Sequence, residues 1–224
     1  MRIVGGKWRG HPLEAPEGRD VTRPTTDRTR ESIASMVLSA FGLDLSDVSL
    51  LDAFAGSGAI GLELLSRGAA SATFVDRDRG AVARVRRNAK SLGASVAEAH
   101  VMSGDVFGLA ERGSLAGAPF RLVVLDPPYA VDAERVSSLV ASLAERGMLR
   151  EGALVLYEHD SHAPGLDVAD FTQIKEKSHG ITTVELLRRN AALAEADAFA
   201  AEDAAVDGKD VVAGQVEGEA ENGR

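Results

Sequence analysis

The sequence predicts an α/β protein: a mostly parallel sheet with helices on both faces and an antiparallel hairpin at one edge. From Val48 onward, short apolar runs alternate with stretches of helical period, the pattern of parallel strands joined by right-handed helical crossovers. A glycine-rich turn, "AGSGAIG" at 55–61, separates the first apolar run from the first of these helical stretches. The last two runs flank a single glycine, Gly180, as an edge hairpin requires.

Residues 1–25 are rich in Gly, Pro and Arg, and "RIV" followed by "GG" suits a short hairpin. A helix follows, with Thr26 or Asp27 as its N-cap and Ile33, Met36, Val37 and Ala40 on one apolar face. "VSLLDAF" is the first strand, "AIGLELLSRG" a helix ending near Gly68, "ATFVD" the second strand and "GAVARVRRNAKSLG" a helix closed by Gly93. "AEAHVMSGD" is a weaker strand and "RLVVLD" a strong one. "DAERVSSLVASLAERG" is a helix with Val136, Leu139, Val140 and Leu143 on one side. "ALVLYEH" is the fifth strand, and "FTQIKEKSHGITTVELLRR" supplies the final two. Beyond Arg189, Ala, Gly, Asp and Glu dominate, a composition too poor in apolar area to offset chain entropy. A folded domain over 1–190 and a disordered acidic tail over 191–224, with a frayed helix at 191–205, are expected.

The 224 residues are 45% hydrophobic, enough for one substantial core. There is no cysteine, so disulfides and thiolate metal sites are excluded and a reducing cytoplasm is the natural setting. No apolar run approaches the ~20 residues of a membrane span, and the opening residues lack a signal-peptide core. The formal charge of −9 is uneven: 191–224 carry nine acids against Lys209 and Arg224, while the first 30 residues hold seven basic groups against four acids. A basic leading segment on a near-neutral body is compatible with a polyanionic partner.

Gly56, Gly58 and Gly61 stand in the spacing of a ligand-binding loop. Asp52, four residues before Gly56, is awkward for a pyrophosphate and suits a cationic or amine-bearing ligand. Asp76 ends the second strand, where a carboxylate can take both hydroxyls of a ribose, and Asp105 follows the third. Each acid alone has an ordinary explanation as a turn or N-cap residue; three after successive strands fit S-adenosylmethionine. Asp52 serves its methionine end, Asp76 its ribose and Asp105 its adenine amino group. The expected cofactor set is Asp52, Ala55, Gly56, Ser57, Gly58, Asp76, Arg77, Asp105 and Val106.

The fourth strand ends in Asp126-Pro127-Pro128-Tyr129. An amino group on an aromatic base is a poor nucleophile because its lone pair is conjugated into the ring. Two acceptors, the Asp126 carboxylate and the Pro127 carbonyl, can hold its two N–H groups and draw the nitrogen toward tetrahedral geometry. The prolines restrict the backbone that carries them, and Tyr129 can stack on a flipped-out base, a contact worth ~1–3 kcal/mol. Transfer by positioning and electrostatics needs no covalent nucleophile.

Taken together, "LDAFAGSGAIGLELLSRGA", "FVDRD", "LDPPY", "RIVGGKWRG…TRPTTDRTRES" and "HGITTVELLRR" resemble the bacterial 16S rRNA guanine-2-amino methyltransferases of the RsmD type, over residues 1–190. The resemblance implies a seven-stranded, Rossmann-like class I methyltransferase sheet, S-adenosylmethionine converted to S-adenosylhomocysteine, and a guanine of 16S rRNA or the assembling small subunit as acceptor. It implies that Asp126, Pro127, Pro128 and Tyr129 line the base pocket. Apart from the resemblance, no metal, no membrane contact and a cytoplasmic monomer are expected. Position 76 departs from the pattern, with Asp where many relatives have Glu. RNA contact is assigned to Arg2, Lys7, Trp8, Arg9, Arg23, Arg28 and Arg30; Trp8 equally suits pinning the N-terminal hairpin to the domain. "HDSH" at 159–162 lacks a completed metal-ligand set. An adenine amino methyltransferase is the alternative within the same chemistry. A dinucleotide oxidoreductase leaves Asp52 and Asp126–Tyr129 without a role, and a non-catalytic RNA-binding factor does not explain the cofactor acids.

Overall fold

The computed structural model describes residues 1–16, 27–128 and 130–191. The expectations placed on Arg23, Tyr129 and the acidic tail beyond Ala191 lie outside the described residues.

Apolar runs with few polar interruptions form strands that are buried on both faces, as parallel sheets require. They are β1 (Ser49–Asp52), β2 (Ser71–Asp76), β4 (Phe120–Leu125) and the middle of β5 (Leu149–Asp160), where Leu50, Leu51, Phe74, Leu122 to Leu125 and Leu154 to Leu156 are buried; β3 (Ala99–Ser103), at the edge, is half-buried. A single seven-stranded sheet results, in the order β3-β2-β1-β4-β5-β7-β6. The first five strands pair in parallel. β7 (Thr182–Arg189) and β6 (Phe171–His179) complete it in antiparallel sense. Sequential order reverses between β1 and β4, and open α/β sheets hold ligands at the carboxyl ends flanking that switch.

Residues alternate between the two faces. Leu50, Phe74, Leu122, Val124, Leu154 and Leu156 pack with α1 (Asp27–Ala40), α2 (Ala59–Ser66) and α3 (Arg79–Ser91). Leu51, Val75, Val123, Leu125 and Val155 pack with α4 (Val106–Glu111) and α5 (Ala133–Glu145). Asp78 caps α3 by accepting from the Gly80 and Ala81 N–H groups, and Asp132 caps α5 by accepting from Arg135 N–H. α4 was not anticipated, because six residues are too few to display a helical period.

The leading segment folds back as a hairpin-like strap. Ile3 N–H donates to His11 O (3.0 Å), Gly10 N–H donates to Ile3 O (2.8 Å), and Leu13 N–H donates to Met1 O (2.9 Å). A short 3-10 helix, Gly6–Trp8, makes the bend. Gly6 has φ +78°, and a Cβ there would run into the Ser66 carbonyl, so only glycine fits. Glu63 of α2, 1% exposed, holds the strap: its Oε2 accepts from Val4 N–H (2.7 Å), and its Oε1 accepts from Gly5 N–H (2.8 Å) and Arg67 Nε (2.8 Å). Ser66 Oγ accepts from Trp8 N–H and donates to Gly5 O. Trp8 is half-buried against the core, the pinning role.

Arg30 corrects one expectation. It was assigned to RNA but is 2% exposed, donating to Arg2 O (2.9 Å) and to Asp27 Oδ1 (2.5 Å), so its charge is committed to joining the strap to α1. Its spacing with Ile33, Ala34 and Val37 puts it on the buried face of that helix.

Glu63→Gln keeps the shape but offers one acceptor oxygen where three N–H groups converge. It should lower stability by about 2–4 kcal/mol in urea denaturation and speed proteolysis of the first fifteen residues. An unchanged midpoint would contradict the clamp.

Candidate functional site

A cavity of about 530 Å³ opens at the carboxyl ends of β1, β2, β4 and β5 and is lined by Asp52, Gly56, Asp76, Asp105, Asp126 and Glu158 among others, a size that suits a small-molecule ligand. The glycine loop forms one wall. Gly58, with φ +76°, starts α2, and Gly61 sits where a Cβ would strike the Phe74 ring and come within 3.0 Å of Asp52 Oδ2. Glycine there lets α2 press against the sheet and lets Gly61 N–H donate to Asp52 Oδ2 at 3.1 Å. From below, buried Asn88 of α3 donates to the Ser57 and Glu14 carbonyls (2.9 and 3.2 Å), fixing the loop to the strap.

Asp52 is 3% exposed. Burial pushes its carboxyl up to about 7; the Gly61 N–H opposes this, and the charges of Asp126 and Asp76 add to it. Asp76 takes Gly56 N–H on Oδ2 (2.9 Å) and Asp78 N–H on Oδ1 (2.8 Å). The shorter acid at this position therefore braces the glycine loop, while its second lone pairs remain able to accept from a ligand. Asp105 precedes α4 yet makes no side-chain capping bond, and it is exposed on the cavity rim. The ordinary N-cap explanation therefore fails at Asp105. Arg77 is exposed on the same rim, and Val106 is buried beneath it.

Next to Asp105 stands an aromatic shelf that sequence reasoning missed. The Phe54 and Phe107 ring centroids are 6.0 Å apart, and the Arg135 guanidinium lies 4.2 Å over Phe107. These residues come from a loop, α4 and α5, so no local spacing announces them.

Asp126, Pro127 and Pro128 line the opposite wall. Burial raises the Asp126 carboxyl to about 6. Val131 N–H donates to the Pro128 carbonyl at 2.9 Å, while among the described residues no backbone N–H donates to that of Pro127. Glu158 of β5, also missed, is raised to about 8 by burial and by Asp126. Its signal was an acid closing an apolar run at the same sheet edge. Of the basic residues, Arg2, Lys7, Arg9 and Arg28 are exposed; Arg2 pairs with Asp27 (3.3 Å) and Lys7 with Glu98 (2.7 Å). In "HDSH", Asp160 Oδ1 accepts from His162 N–H (2.8 Å) and its ring meets the same oxygen (2.9 Å), while His159 stacks on Tyr157 at 4.8 Å.

Known proteins place this geometry in context. A family model described as conserved hypothetical protein 95 matches residues 1–188. Ribosomal RNA small subunit methyltransferase D of Escherichia coli (strain K12) is 35% identical over 193 residues, 85% of this chain and 91% of that protein. The chain belongs to this methyltransferase D family. The Haemophilus influenzae member is 31% identical over 188 residues, 83% of this chain and 92% of its own. A solved structure of Escherichia coli yhhF, 34% identical, superposes with a TM-score of 0.69 over 86% of this chain and 99% of its own. An RNA methyltransferase from Salinibacter ruber, solved in complex with S-adenosyl-L-homocysteine, shares the fold at 19% identity, with a TM-score of 0.55 over 77% of this chain and 97% of its own.

In this family member, the ligand-free acids give a pH signature. Asp52, Asp126 and Glu158 hold their protons more tightly folded than unfolded. Their stabilising share is complete below about pH 4 and is lost as pH rises toward 8. Urea midpoints should fall from pH 5 to 8, and Asp52→Asn should flatten that slope by on the order of 2 kcal/mol. A slope equal to that of the parent protein would contradict the assignment.

Proposed function

We propose that this protein transfers a methyl group from S-adenosylmethionine to the exocyclic 2-amino group of a guanine in 16S rRNA of the small ribosomal subunit. The observation that carries the reading is the pair of acceptors at Asp126 and Pro127 on the wall of the cavity that the glycine loop, Asp52, Asp76 and Asp105 also line. Membership in the methyltransferase D family supports the reaction class and the rRNA acceptor.

The residues fit the donor. S-adenosylmethionine supplies a methyl group activated by its sulfonium. Asp52, crowded by Asp76 and Asp126, gains from a positive amino group. The free lone pairs of Asp76 suit ribose hydroxyls. Uncapped Asp105 suits an adenine amino group, with Phe107 and its Arg135 partner as the surface on which a ring can lie.

On the acceptor side, Asp126 and the Pro127 carbonyl take one N–H each from the base amino group. They localise its lone pair and stabilise the positive charge that grows on nitrogen. Asp126 then accepts the departing proton, which its raised affinity favours. Tyr129, outside the described residues, is assigned to stack on the base. Arg2, Lys7, Arg9 and Arg28, with Arg23 outside the described residues, are assigned to the phosphates, as their exposure and sign allow.

The test is transfer of an isotopically labelled methyl group to small-subunit rRNA, or to subunits from a strain lacking the enzyme, followed by mass spectrometry of nucleosides. Labelled N2-methylguanine is expected. Labelled methyladenine would replace the base assignment, and no transfer would reject the class. Asp126→Ala should slow transfer at least about 100-fold and leave S-adenosylhomocysteine affinity within about threefold. Loss of both together would make Asp126 a cofactor or structural residue. Asp105→Ala should weaken that affinity about tenfold in calorimetric titration. Unchanged affinity would remove Asp105 from the site.

A further inference from the structure

Asp126 has a carboxylate neighbour that the reaction as described leaves unused. β4 and β5 run parallel with Leu125 in register with Tyr157, so Asp126 and Glu158 follow side by side, about 4.8 Å apart across the strands. Alternation puts Glu158 on the face of Leu154 and Leu156, which is also the face of Leu122 and Val124 and hence of Asp126. Glu158 lines the cavity. Its Oε2 is buried and has no hydrogen-bond partner among the described residues. A desolvated carboxylate oxygen without a donor is costly, and such orphans occur where a ligand completes them.

We propose that Glu158 accepts the N1–H of the target guanine and thereby selects guanine over bases whose ring nitrogen beside the amino group carries no hydrogen. This rests on the amino-methylation reading above. Guanine presents N1–H and its 2-amino group as adjacent donors, whereas adenine and cytosine present a bare ring nitrogen next to theirs. With the amino group held by Asp126 and Pro127, the next donor along the base edge meets the next strand, where Glu158 stands. Above about pH 8, where Glu158 is ionised, a base with a bare nitrogen there sets two acceptors against each other, which is discrimination by repulsion. An N–H donor also favours the ionised carboxylate, opposing the burial and the Asp126 charge that raise Glu158 in the free protein.

The discriminating substrate is 2-aminopurine, which keeps the 2-amino group and lacks N1–H. We would assemble 16S rRNA by splint ligation with guanine or 2-aminopurine at the methylated position, reconstitute small subunits and measure single-turnover transfer by the full-length protein at about pH 9, where Glu158 is ionised. The parent protein should prefer guanine by about 100-fold or more. Glu158→Gln, whose amide can donate as well as accept, should narrow the preference to within about tenfold and leave S-adenosylhomocysteine affinity unchanged. Equal rates on both bases with the parent protein, or an undiminished preference in Glu158→Gln, would overturn the assignment while leaving amino methylation standing. Absence of transfer to the guanine substrate would overturn both.

Discussion

Carboxylates are crowded along one buried edge of this sheet, and the site follows from how that repulsion is managed. Asp52, Asp126 and Glu158 lie on one face of the neighbouring strands β1, β4 and β5, and Asp76 ends β2 beside them. Their registers leave little room for escape, because each acid terminates a run of residues locked into the core. The free protein answers partly with backbone donors: Gly61 N–H to Asp52, and Gly56 and Asp78 N–H to Asp76. The remainder is met by protonation, with Asp52 pushed up to about 7 and Glu158 up to about 8. A surface of this kind is complementary to amines and N–H groups and poorly suited to phosphate.

The leading strap belongs to the same construction. Glu63 grips its backbone from α2, whose other end carries the glycine loop. Asn88 ties the strap to Ser57, and Arg30 ties it to α1. Met1 and Arg30 both line the cavity. A segment read from sequence as a basic RNA-facing extension is thus a brace for the glycine loop over its described part; exposed Arg9 rides on the strap and exposed Arg28 on α1.

Legibility tracked whether a residue's neighbours in space were also its neighbours in sequence. The parallel sheet and the places of Asp52, Asp76, Asp105 and Asp126 at strand ends were readable because each acid punctuates an apolar run, whereas the switch point needed the strand order. Glu158 obeys the same rule, yet β5 continues through it to Asp160, so nothing local marks the strand's end. Glu63 and Asn88 sit within helices as ordinary polar residues, and only the returning strap gives them work. Phe54, Phe107 and Arg135 meet from separate elements. Arg30 was misassigned by charge, although its helical spacing already placed it among Ile33, Ala34 and Val37.

If the acid edge is a receptor for a cationic cofactor, binding must change its protonation. A bound ammonium favours the ionised form of Asp52 and displaces the proton held there near neutral pH. Isothermal titration of S-adenosylmethionine at pH 6.5, in buffers of different ionisation enthalpy, counts that proton. The account predicts release of a substantial fraction of one proton per site, abolished in Asp52→Asn. Binding without proton release would mean that the carboxylate row does not receive the cofactor's charge, and the central claim would fail.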